Sequence, residues 1–212
     1  MTEESCKKEE PKSHDHLEWM ALMRHYGAPS RLLDCTYSFY IAAYFALRYA
    51  KGDSTVWVID AQWLKDRARV ILEKQYIDFH NPQTFCESFL RIYNPVPFVA
   101  PVNPLRLNER LTNQQGLFLC PGDIGKLFME NLYCTSNDTN EIRNRVIKVV
   151  LPKDLRKDAM QELHRMNVTS ASLFLGLGGF AESLNDWFYL EREYEGRELK
   201  EAIRCILTKR QS

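Results

Sequence analysis

The run His25-Tyr26-Gly27-Ala28-Pro29-Ser30-Arg31-Leu32-Leu33-Asp34-Cys35-Thr36 constrains this fold more than any other stretch of the chain. It sets a turn, a guanidinium, a carboxylate and a hydroxyl directly before the apolar run Tyr40-Ile41-Ala42-Ala43-Tyr44-Phe45-Ala46-Leu47. Charged groups beside such sequence are costly to bury unless they are paired. The expectation is therefore a buried or cleft-lining polar network, not a simple solvated loop.

The flanks of this run read as helices. Asp15 with Glu18 has capping-box spacing, which opens a helix that runs to about Tyr26. Gly27 supplies its left-handed stop, and Pro29 keeps Ala28 extended. A second helix takes Thr36 or Ser38 as its cap and ends before Gly52. Its apolar residues surround nearly the whole circumference, which predicts a largely buried helix.

Further along, Thr55–Ile59 and Arg145–Leu151 read as strands, and Ala61–Gln75 as a helix with Trp63, Leu64, Ala68, Ile71 and Leu72 near one face. Pro82–Leu90 reads as a short helix. Asn94–Pro101 is a proline-broken edge strand or surface crossing. Gln114–Cys120 is a strand, and Asn137–Asn140 a loop. Pro152 opens a helix carrying Leu155, Ala159, Leu163 and Met166. Gly176–Gly179 forms a turn, not a dinucleotide fingerprint, because the strand followed by G-x-G-x-x-G is missing. A helix follows from about Phe180, and 196–211 read as a terminal amphipathic helix.

Alternating strands and helices predict a mixed α/β fold with a small central sheet packed by helices. Residues 1–14 are expected to be a disordered tail, and 15–212 a single domain. At 212 residues, with 45% hydrophobic and 12% aromatic residues, the chain can build a sizeable core. Its 28 basic and 28 acidic residues balance, which argues against generic coating of DNA or RNA. Six cysteines without a C-x-x-C pair, behind a charged start, predict free thiols in a cytoplasmic protein. No apolar run reaches the ~20 residues of a membrane span.

Chemistry can be assigned to several residues. Arg31 and Asp34 are either an ion pair holding the loop or, for Arg31, a fork presented to a phosphate or carboxylate ligand. His25 caps a helix or titrates near neutrality. Thr36 caps the second helix. Gln115 either sends its amide into the same cleft, or Gly116 beside it merely relieves crowding. Glu109 and Glu130 are spare carboxylates. His14-Asp15-His16 lacks a third ligand, so no metal site is expected. A helix-turn-helix reader is excluded, since the connection from Gly27 to Cys35 is too long and the second helix too apolar for a DNA groove.

The block from His25 to Thr36, followed by Tyr44-Phe45-Ala46, resembles the FRG-domain family of bacteria and phages. Two later blocks are similar to that family as well: Arg110-x-x-x-x-Gln115-Gly116-x-Phe118, and Leu163-x-x-x-x-Val168-x-x-x-Ser172-Leu173-Phe174 with Leu177-Gly178-Gly179. The chain departs from the pattern in having Ser30 for Thr, Cys35 for Trp and Leu175 for Pro. It also contains no Phe-Arg-Gly tripeptide, as expected of a shortened member. The resemblance implies family membership, often in defence-related neighbourhoods, and names neither an activity nor a cofactor. Two functions are carried forward. One is a binding module in which His25, Arg31, Asp34, Thr36 and Gln115 recognise a nucleotide, a nucleic-acid end or a protein partner, including a second copy of the chain. The other is a nucleotide-acting enzyme such as an NAD-dependent ADP-ribosyl transferase.

Overall fold

A computed structural model of the chain describes residues 11, 16–74, 95–103 and 109–184. Helix α1 spans His16–His25, strand β1 Leu33–Thr36, helix α2 Phe39–Arg48, strand β2 Ser54–Ile59 and helix α3 Ala61–Glu73. Strand β3 (Val99–Val102), helix α4 (Glu109–Asn113), strand β4 (Gly116–Pro121), helix α5 (Phe128–Tyr133), helix α6 (Thr139–Arg145) and strand β5 (Val146–Leu151) follow. A 3₁₀ turn over Lys153–Leu155 leads into helix α7 (Arg156–Arg165) and helix α8 (Ser170–Leu173), with a further helical stretch over 177–184. Asp15, the proposed Pro82–Leu90 helix, the 196–211 helix and His14 lie outside the described residues.

The architecture is mixed α/β, with two small antiparallel sheets among the described residues where one central sheet was expected. One sheet has the order β1-β4-β3, and the other pairs β2 with β5. In β4 the sequence Leu117-Phe118-Leu119-Cys120 is apolar at every position because helices cover both faces. Phe118 and Cys120 pack with Ala100, Val102, Leu17 of α1 and Ala68 and Leu72 of α3. Leu117 and Leu119 face Val99, Trp63, Leu64, Leu132 and Ile142. Among the described residues the proline-broken strand is an edge strand, as expected: β3 pairs there only with β4, with Pro101 opposite Leu119. Pro is tolerated there because an edge position can do without the missing N–H.

The end of α1 follows the predicted chemistry. Gly27 has φ +81, Ala28 N donates to Met23 O at 2.9 Å and Gly27 N to Arg24 O at 3.0 Å, the paired bonds of a Schellman stop. Ser38, the second of the two expected caps, starts α2 by accepting from Ile41 N. Helix α2 buries Ile41, Ala43, Tyr44, Leu47 and Arg48 against Met160, Leu163 and Leu173 of α7 and α8. Phe39, Tyr40 and Phe45 remain exposed, so an apolar circumference here means enclosure along one face only. Helix α5 was not apparent in the sequence, and the supposed loop Asn137–Asn140 is where Asp138 caps α6. Of the expected apolar face after Pro152, Leu163 is buried, joined by Met160, whereas Leu155 and Met166 are exposed.

Candidate functional site

The predicted ion pair between Arg31 and Asp34 does not form. From Leu33 the chain is extended in β1, and a spacing of three then sends side chains to opposite faces instead of stacking them as a helical turn would. Asp34 sits on the sheet face that α1 crosses, and Arg24 at the end of α1 donates to it, Nε to Oδ2 at 2.6 Å. That pair is in water, with the Asp34 side chain 59% exposed. Arg31 turns instead to the end of β4, donating from Nη2 to Pro121 O and, at 3.2 Å, to Gly122 O.

The loop that Arg31 holds is tied from the other side by Asn131, which is fully buried in α5. Its Nδ2 donates to Asp123 O at 2.9 Å and Leu127 O at 3.1 Å, and its Oδ1 accepts from Asp123 N at 2.9 Å. Gly122 approaches so closely that a Cβ there would lie 2.2 Å from Val96 O. Sequence reasoning missed Asn131 altogether. The only signal was an Asn inside an otherwise amphipathic six-residue stretch.

Thr36 does cap, though through the connection preceding α2. Its Oγ1 accepts from Ser38 N at 3.0 Å and donates to Gln114 O at 2.7 Å. Gln115 contributes backbone: its carbonyl accepts from Tyr37 N at 2.9 Å, and it adopts φ +46 with an exposed side chain. The neighbouring Gln114 is the one that reaches across the fold, its Nε2 donating to Leu173 O at 3.2 Å. Gly116 has the crowding role, because a Cβ would meet Leu111 Cδ1 at 2.3 Å. His25 ends α1 and meets Tyr26 edge to face, ring centroids 5.1 Å apart.

Cys35, the cysteine inside the motif, is no ready nucleophile. Burial, and then the neighbouring Asp34 carboxylate, push its thiol up to about 11. Burial likewise raises Cys120 to about 11, against the opposing pull of Arg31. Cys6, Cys86 and Cys205 lie outside the described residues.

The three sequence blocks converge at a different place, the ring of Phe174. Phe45 of α2 packs edge to face on it, with centroids 5.9 Å apart. The guanidinium carbons of Arg48 and Arg110 lie 5.2 and 4.9 Å from its centroid. Arg48 also stands over the rings of Tyr49, at 4.8 Å, and Tyr44, and pairs with Glu182. Tyr44 Oη and Ser170 Oγ share a buried hydrogen bond of 2.6 Å that fixes α8 against α2. Burial pulls the Arg48 guanidinium down, but the hydrogen bond to Glu182 and the nearby Tyr44 and Tyr49 outweigh it, leaving its pKa raised. The sequence pointed to the blocks but not to their meeting point, since cation–ring contacts between residues so distant in the chain leave no local period.

No helix among the described residues is long and apolar enough to cross a membrane. No curated protein and no solved structure matches the chain significantly. Among protein families, the FRG domain matches the segment that carries α1, β1 and α2. Residues 1–54 of this chain match the FRG domain family.

Proposed function

We propose that this protein is a binding module, not an enzyme, and that its motif region recognises a nucleotide, a nucleic-acid end or a protein partner. The observation that carries this reading is how the polar groups of the motif are employed. Arg31 holds backbone carbonyls, Asp34 is held by Arg24, and Thr36 is shared between Gln114 O and Ser38 N. Groups engaged in this way build a rigid platform and leave little for proton transfer or nucleophilic attack. What the platform displays suits recognition: Tyr37 and Tyr40, 62% and 54% exposed, with Gln115 bonded to Tyr37 through the backbone. Exposed aromatic rings offer a stacking face to a base or to a peptide side chain.

The competing transferase reading gains support only from the closeness of the blocks. A thermal-shift series with the whole chain against nucleotides, NAD and short oligonucleotides tests both. The binding module predicts a raised Tm with at least one ligand and no nicotinamide released from NAD. Nicotinamide release, or label transferred to an acceptor, would overturn it.

A further inference from the structure

The geometry points to an anion site at Phe174, where Arg110 and Arg48 together take the phosphoryl groups of a small diphosphate ligand. The inference rests on the binding-module reading and adds to the motif platform a separate site for phosphoryl groups.

Three observations carry it. First, Arg48 is a guanidinium whose side chain is only 6% exposed, yet its Nε–H meets no acceptor among the described residues. A buried donor without an acceptor costs free energy, and Glu182 satisfies only the Nη2 end. Second, Arg110 lies over the same ring and, among the described residues, its guanidinium has neither an acidic partner nor a hydrogen bond. Of the two cations over this ring only Arg48 has a carboxylate, so one positive charge is left uncompensated there. Third, the helix end beside them does not oppose an anion. The last carbonyls of α2, which would repel one, are taken up by Arg156, whose Nε donates to Leu47 O at 2.8 Å and Nη2 to Arg48 O at 2.9 Å.

The arginine fork matches a phosphoryl group in a way that lysine does not, since two parallel N–H groups can address two oxygens. Glu182 then acts as an internal stand-in: it neutralises Arg48 when the site is empty and competes with the ligand. Its side chain is about half exposed, so it can withdraw into water. A diphosphate fits better than a single carboxylate because, once Glu182 withdraws, there are two guanidinium groups to match its charges.

The test is calorimetric titration of the whole chain with inorganic pyrophosphate, with a nucleoside diphosphate and with the matching nucleoside. Pyrophosphate and the nucleoside diphosphate are expected to bind, and the nucleoside to bind at least about tenfold more weakly than its diphosphate. Arg110→Ala should weaken pyrophosphate by about tenfold or more while keeping the wild-type far-UV spectrum. Arg110→Lys should fall between the two. Glu182→Gln removes the competitor and should tighten binding roughly two- to fivefold. Absence of pyrophosphate binding overturns the inference, and so does an Arg110→Ala protein that binds it as wild type does. If the nucleoside alone bound as well as the diphosphate, the phosphoryl assignment would fail while the binding module stood. Nicotinamide release from NAD would remove the module itself.

Discussion

Arg31 and Arg48 belong to the same stretch of sequence and do opposite things. Arg31 directs its fork at two backbone carbonyls at the end of β4, where its charge helps shape a loop. Arg48 lies against three aromatic rings and pairs with one half-exposed carboxylate. The difference teaches that burial does not mark a functional arginine. The acceptors around it do: carbonyls fixed in the fold commit the charge to shaping a loop, whereas rings and a half-exposed carboxylate can give way to a ligand.

The largest effect should come from the partner that closes the Arg31 side. Asn131→Ala removes a buried amide that satisfies the loop 122–127 from within, and about 3 kcal/mol of stability should be lost, read from urea unfolding. A loss below about 1 kcal/mol would mean that the loop holds itself. Arg31→Ala should cost about 2 kcal/mol, since two charge-assisted bonds to carbonyls disappear. Equal losses for Arg31→Ala and Arg110→Ala would erase the distinction between an arginine that shapes a loop and one that rests on a ring.

A third region sharpens the contrast under acid. Glu141 accepts from Ser136 Oγ at 2.5 Å and Trp63 Nε1 at 2.9 Å and pairs with Arg67, tying α6 to α3. Asp60 caps α3 through Trp63 N at 2.9 Å and meets Arg145 at 2.6 Å. The Ser136 hydrogen bond is the largest influence lowering Glu141, and the bond from Trp63 N does the same for Asp60. Carboxyls lowered by folding contribute stability above their unfolded values of 4.5 and 3.8, and that contribution fades as pH falls through the still lower folded values. Urea midpoints should therefore drop below about pH 4.5, and Glu141→Gln should flatten the drop. An unchanged profile in that variant would assign the acid sensitivity elsewhere. The smallest effect belongs to Asp34→Ala, which breaks only an exposed pair with Arg24 and should cost less than about 1 kcal/mol by the same unfolding measurement. A loss matching that of Arg31→Ala would restore the paired motif that the strand geometry denies.

Features governed by near neighbours were legible in the sequence. Gly27 stops α1, Ser38 caps α2, α3 follows from its apolar spacing, and β2, β4 and β5 follow from their β-branched and apolar runs. Pro101 on an edge strand followed from its missing donor. Short helices such as α5 were hidden because six residues hold less than two full turns of any period. Partners were hidden most of all. Spacing suggested Asp34 for Arg31, whereas its acceptors come 90 residues later. Phe174, the ring on which two arginines meet, reads in isolation as one more core aromatic.

That separation of Arg31 from its acceptors bears on how the chain reaches its native state. The first 54 residues match the family, but Pro121 and Gly122 must be brought home across a long closed loop before the guanidinium can grip their carbonyls. A fragment truncated after β2 would carry the recognisable letters and none of the clasp. During synthesis, those two bonds can form only after β4 has been made.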